Sequence, residues 1–275
     1  MQRINSKVTW INYTLRLVRA IEKLILNDEN ADIKSNGEKY FLKKFVTFNQ
    51  TENYVVLDFG ANVGKWTKAL FESGYKGHVV LIEASHSSIA MAEKNLTEYV
   101  KSCHFIEGAA TNSSEDYVDL YVTNDKFSEK TSLRDQSFNN NKNKSSRNIV
   151  KAISSTQIRQ ILNVIKQDPE LAIKIDCEGA EYEIIEMILG CNLRPKFIQF
   201  EFGHALRAFS LTSADIWKKL DGFNYSIYLI TKKRLIKVDY SPYIDNLFRC
   251  ANFIAIPKSE LMAWKYYIAD HHLRI

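Results

Sequence analysis

Residues 55–66 read "VVLDFGANVGKW". An apolar run ends in Asp58, and Gly60 and Gly64 follow with Asn62 between them. With Tyr54 in front, the run predicts a buried strand over 54–58, and "KWTKALFESG" predicts a helix over 65–74 closed by Gly74. An ordinary strand-to-helix turn needs neither a terminal carboxylate nor two glycines. Open α/β sheets bind their ligands beyond the carboxyl ends of the strands, which is where this turn lies.

The chain continues in the same alternation. "HVVLIE" (78–83) predicts a strand, followed by a helix over about 87–101 capped by Ser87 or Ser88, and "CHFIEG" (103–108) predicts a third strand. After an interruption come the strand "LAIKID" (171–176), a helix over about 180–189 and the strand "KFIQFEF" (196–202). A helix near 213–220 leads to "YSIYLIT" (225–231), "RLIKVD" (234–239) and "ANFIAI" (251–256), with a closing helix expected from about 258. Apolar runs joined by helices predict an α/β fold whose mostly parallel sheet is covered on both faces. The last strands lack long helices between them, which predicts an antiparallel edge.

Two stretches stand outside this alternation. Residues 1–50 predict a helical N-terminal cap, with an amphipathic helix over 8–26 and another over 37–48. It reads either as a lid packed on the main domain (51–275) or as a peripheral membrane contact through Trp10, Tyr13 and the accompanying Arg and Lys. Arg16, Arg19, Glu22 and Lys23 interrupt the first helix, so it fits neither a signal peptide nor a membrane span. The second is an insertion at about 109–170. In it "DYVDLYVT" and "NIVKAISS" predict a hairpin around the Asn-, Ser- and Lys-rich segment 124–147. That segment reads as a disordered surface loop or as a mobile flap bringing "TSL" (131–133) near the ligand.

The 275 residues suit one large α/β domain with additions, and the net charge of +5 is too thinly spread for a dedicated nucleic-acid binder. The four cysteines are widely separated, and three sit inside apolar runs and read as small buried groups of a reduced compartment, which fits a cytoplasmic protein. His271 and His272, near the end, form only a weak metal motif.

The turn itself narrows the ligand. A dinucleotide site reads G-x-G-x-x-G with its pyrophosphate on the helix N-terminus. Here a carboxylate precedes the first glycine, a poor neighbour for pyrophosphate but a good one for an ammonium group. Glu83 ends the second strand, where an acid can take both hydroxyls of a ribose. S-adenosylmethionine carries an amino-acid end and a ribose, so the expected cofactor site comprises Asp58, Gly60, Ala61, Asn62, Gly64, Glu83, Ala84, Ser85 and Ala109.

"DFGANVG" (58–64), "LIEAS" (81–85) and "KIDCEGAE" (174–181), in this order, resemble the motifs of the FkbM-like family of S-adenosylmethionine-dependent methyltransferases. The resemblance spans about 54–256 and implies the Rossmann-like class I methyltransferase fold. It also implies O-methylation of a hydroxyl on a sugar, glycoconjugate or small metabolite. The chain departs from the family pattern in three places: Ala84 replaces a proline, "EGAATNSS" offers only Ala109, Thr111 and Asn112 where an Asp often approaches the adenine, and "ISSTQI" replaces a hairpin strand carrying "LD".

Transfer to a hydroxyl needs alignment and a proton acceptor. Asp176, Glu178, Glu201 and His204 stand at or just beyond strand ends at the expected site and are the candidate catalytic groups. Asp176 and Glu178 can equally cap the helix that follows, and a surface histidine is common after a strand. Asp176, Glu178 and Glu201 are the ligand set expected if Mg²⁺ takes part. The basic residues Lys142, Lys144, Arg147 and Lys151 are the only support for nucleic-acid methylation, and a solvated loop explains them as well. A nicotinamide-dependent dehydrogenase is disfavoured by the glycine spacing, and a non-catalytic binding protein by the retained acids at 176 and 178. Oligomeric state is left open.

Overall fold

The computed structural model describes residues 2–125, 128–133, 145–203, 210–248 and 250–273. The elements run α1 (Gln2–Leu26), α2 (Glu38–Phe48), β1 (Tyr54–Phe59), α3 (Lys65–Glu72), β2 (His78–Glu83), α4 (His86–Asn95), β3 (Cys103–Glu107) and β4 (Ala109–Ala110). They continue with β5 (Tyr117–Asp125), β6 (Ser128–Ser132), β7 (Ser145–Ile153), α5 (Ser155–Ile165), β8 (Glu170–Ile175), α6 (Glu181–Gly190), β9 (Phe197–Gly203) and α7 (Ser213–Gly222). The chain closes with β10 (Tyr225–Ile230), β11 (Leu235–Val238), α8 (Ile244–Leu247), β12 (Cys250–Pro257), α9 (Leu261–Trp264) and β13 (Ile268–Leu273).

Nine strands form one sheet in the order β13-β11-β10-β12-β9-β8-β1-β2-β3. The strands from β3 to β9 pair in parallel, whereas β12 runs antiparallel to both β9 and β10 and supplies the expected antiparallel side. Strand order reverses between β1, which leads out to β2 and β3, and β8, which leads out to β9. This crevice is the position where α/β sheets take ligands.

Period-two alternation splits the core into two layers. Val55, Leu57 and Phe59 of β1 pack in the layer that contains Ile158 of α5, Ile184 of α6 and Leu220 of α7. Tyr54 and Val56 face the layer built with α2, α3 and α4. Phe41, Leu42 and Phe45 of α2 are completely buried there, each contributing about 1.5–3 kcal/mol of burial. The cap is therefore half integrated: α2 is part of the core, while residues 10–25 of α1 are exposed along their whole length.

The predicted hairpin exists as β5 against β7, extended by β6 and β4 into a second, four-stranded sheet. Its flap was expected over 124–147, and most of that stretch, residues 126–127 and 134–144 with Lys142 and Lys144, lies outside the described residues. Two expectations need correction. "ISSTQI" does not continue a strand: Ser154 caps α5 in a capping box with Gln157, which ends β7 at Ile153. The expected closing helix is only a short turn and α9, after which β13 pairs in parallel with β11 as the sheet's last strand.

Candidate active site

At the reversal point, β1 enters its turn directly against the end of β8. The Asp176 amide donates to the Phe59 carbonyl at 3.0 Å, and a Cβ on Gly60 would stand 1.9 Å from the Asp176 carbonyl oxygen. Only glycine fits there, and its φ of 71° is also one that L side chains rarely adopt. Gly64 meets a different demand, since a Cβ there would sit 2.9 Å from Leu96. One glycine thus lets two strand ends meet, and the other lets a helix pack.

Above this junction lies a cavity of about 330 Å³. Of the residues expected at the cofactor site, Gly60, Asn62, Glu83, Ala84 and Ala109 line it, as do the candidate catalytic groups Asp176, Glu178 and Glu201. Ala61, Gly64, Ser85 and Asp58 do not line it, and His204 lies outside the described residues. Asp58 does not reach the cavity, because strand parity turns it to the α2–α3 face with Tyr54 and Val56. It is fully buried, accepts a 2.6 Å hydrogen bond from Thr67 Oγ1 and pairs with Lys174 Nζ at 3.3 Å. It ties together the floor beneath the cavity.

Lys174 neighbours Asp58 across β1–β8 and Gln199 across β8–β9, so a polar row crosses three central strands. Its Nζ donates to the Gly60 carbonyl at 3.2 Å and lies 3.3 Å from Asp176 Oδ2. Burial works against its charge, but Asp58, Asp176 and Glu38 outweigh burial and hold it protonated. Glu38, from the start of α2, accepts from Gln199 and from Asn36, and Trp66 Nε1 donates to Gln199 at 3.2 Å. The cap helix is thereby wired to the floor of the cavity.

Glu83 occupies the end of β2 and is almost wholly buried. Its Oε2 accepts the Asn62 amide and its Oε1 the Ser85 amide, each at 2.8 Å. Burial raises its pKa and these two amides oppose the rise. The carboxylate pins the glycine turn and keeps further acceptor capacity facing the cavity. On the opposite lip, burial and then the Asp176 charge push the Glu201 carboxyl up to about 8. The Cys250 Sγ donates to Glu201 Oε1 at 2.9 Å, and burial keeps that thiol protonated. Glu181 accepts the Cys177 amide at 3.0 Å, and burial lifts it to about 7.

Asp176, Glu178 and Glu201 share the cavity, yet among the described residues no group of three His, Cys, Asp or Glu side chains is placed to hold a metal ion. The Mg²⁺ ligand set expected from sequence is therefore not formed: the Lys174 ammonium already lies 3.3 Å from Asp176 Oδ2, and Glu201 is tied to a thiol. Thr111 Oγ1 and the Asn112 backbone amide both donate to Glu183 Oε1, at 2.5 and 2.8 Å, and neither residue lines the cavity, whose wall here is Ala109 and Ala110. Within "TSL", Ser132 and Leu133 line the cavity, and Ser132 Oγ donates to the Glu178 carbonyl at 3.2 Å. Cys250, Leu120 and Ala31 complete the wall without having been singled out in the sequence.

The donor set fits S-adenosylmethionine: an acid at the second strand end for ribose hydroxyls, apolar Ile82, Ala109, Ala110 and Leu120 for an aromatic base, and carboxylates for a cationic end. An acidic cavity at the reversal point of a mostly parallel α/β sheet defines the class as a Rossmann-like fold with a site for a cationic, ribose-bearing cofactor. The family model described as the methyltransferase FkbM domain matches residues 58–227, and the chain belongs to that family. The protein is an S-adenosylmethionine-dependent methyltransferase.

No curated protein matches the sequence. Similar solved structures include an O-methyltransferase from Bacillus cereus in complex with SAH, at 14% identity and a TM-score of 0.44, covering 90% of this chain and 91% of that one. The methyltransferase FkbM from Methylobacillus flagellatus is 14% identical with a TM-score of 0.39, covering 74% of this chain and 44% of that one. A protein of the NADB-Rossmann superfamily from Streptococcus agalactiae is 10% identical with a TM-score of 0.42, covering 89% and 72%. Among the described residues no helix is long and apolar enough to cross a membrane.

Proposed function

We propose that the protein methylates a hydroxyl oxygen on a sugar, a glycoconjugate or a small hydroxylated metabolite. The observation that carries this reading is Glu201, a cavity carboxyl whose proton affinity lies near neutrality. A hydroxyl gives up its proton only to a positioned base, and a base works best with a pKa near the working pH. When bound, S-adenosylmethionine supplies an electrophilic methyl group on a sulfonium. Glu201 would take the proton of the acceptor hydroxyl, and Cys250 and Asp176 would set how strongly it does so. Glu83 and the turn it pins orient the ribose, and Leu120, Leu133 and Ala110 keep one wall apolar.

The second sheet supports the acceptor class. A groove that meets the cavity at Leu133 is lined by Tyr117, Tyr121, Asp119 and Arg147, with Arg147 Nε paired to Asp119 at 2.7 Å. Aromatic faces beside hydrogen-bonding charges suit a polyhydroxylated ring. The test is product formation from S-adenosylmethionine across matched acceptors, each free or with its hydroxyls blocked. Turnover only on free hydroxyls, lost in Glu201→Gln while S-adenosylhomocysteine still binds, is the expected result. Turnover on amines alone would overturn it.

A further inference from the structure

Helix α1 buries none of residues 10–25, although it is rich in large apolar side chains. Trp10 and Leu24 are 77% and 70% exposed, and Leu17, Val18, Ile21 and Ile25 are exposed beside them. At one residue per 100° these six fall within an arc of about 120°. Arg16, Arg19 and Lys23 fall on the opposite side, within an arc of about 60°. The helix carries five basic residues against the single acid Glu22. A contiguous apolar stripe of this size on a folded protein marks something it binds.

We propose that α1 is an interfacial helix that seats this enzyme on an anionic membrane surface. The apolar stripe enters the acyl boundary, Trp10 and Tyr13 sit at headgroup level, and the basic residues meet the lipid phosphates. Charge favours this occupant over a second copy of the chain. The helix carries five basic residues and one acid, so two copies side by side lack the opposite charges that flank the apolar seam of paired helices. The anchor is also tied to the catalytic wall. In the turn after α1, Asp28 Oδ1 accepts the Cys250 amide at 2.9 Å, the Glu29 amide donates to the Cys250 carbonyl at 2.7 Å, and Ala31 lines the cavity. A docked α1 thus holds the Glu201–Cys250 side of the site close to the surface, without depending on which acceptor is methylated.

The experiment is co-sedimentation of the full chain with phosphatidylcholine vesicles, and with vesicles in which part of the lipid is phosphatidylglycerol. The wild type is expected to bind the anionic vesicles and to lose that binding as salt rises. Leu17→Asp with Leu24→Asp should reduce partitioning by about tenfold or more while S-adenosylhomocysteine binding and circular dichroism stay unchanged. Arg16→Glu with Arg19→Glu should remove the preference for anionic lipid. Recovery of the wild type in the supernatant with both vesicles would overturn the proposal. So would a dimer by light scattering that the aspartate pair converts to monomer with no vesicle binding in either form.

Discussion

Lys174 Nζ lies 3.3 Å from Asp58 Oδ1 in the floor of the donor cavity, and both side chains are sealed from water. The pair explains why a carboxylate stands near the end of β1: it balances a cation that also reaches Asp176 and the Gly60 carbonyl. Removing one partner of a buried pair strands the other charge. Lys174→Met, close in volume, should lower unfolding free energy by about 3–5 kcal/mol, and adding Asp58→Asn should recover part of the loss. Urea denaturation of the three proteins reads this directly. Equal stability would mean that the floor is not held by charge.

Glu83 holds the turn and lines the cavity at once. Glu83→Ala frees the Asn62 and Ser85 amides and removes an acceptor for ribose hydroxyls. Hydrogen bonds to charged groups are worth about 1.5–3 kcal/mol, so S-adenosylhomocysteine affinity should fall by tenfold or more. Calorimetric titration measures it, with NAD as the control ligand. An unchanged affinity would remove Glu83 from the cofactor site.

Glu201 sets an expectation for the pH dependence of turnover. With its pKa raised to about 8, it is mostly protonated at neutral pH and becomes a base as pH rises. The rate should therefore climb through about pH 8, and the limb should vanish in Glu201→Gln. Cys250→Ala removes the thiol that stabilises the carboxylate, so the limb should move to higher pH instead of disappearing. A profile indifferent to both changes would assign the base elsewhere.

The central βαβ units were legible because their signals are local. "DFGANVG" carries its own turn chemistry, and "HVVLIE" its own pattern. What lay beyond reading depended on register between distant segments. Glu201 meets Cys250 only because β12 runs antiparallel beside β9, a pairing no neighbouring residue announces. Asp58 was visible as a strand-end acid, but its direction follows from parity relative to α2, whose docking is a tertiary fact. β13 was hidden because "IADHHL" forms a strand only by lying along β11. The start of α5 is a different matter, since Ser154 and Gln157 form a capping box that the sequence displays.

Folding stability should carry the imprint of the same buried acids. Glu201 and Glu181 rise from 4.5 in the open chain to about 8 and about 7 in the fold. The folded protein therefore holds their protons more tightly between pH 4.5 and 8, and stability falls as pH rises through that window. The exposed Asp32 and Glu52 shift downward, through hydrogen bonds, so they act with opposite sign and only below that window. Unfolding free energy measured by urea from pH 5 to about 9 should drop more steeply in the wild type than in Glu201→Gln, and the difference isolates one carboxyl from every other titrating group. Parallel profiles would show that Glu201 ionises in the fold as freely as in water, and the proton acceptor at this site would then have to be sought among Asp176 and Glu178.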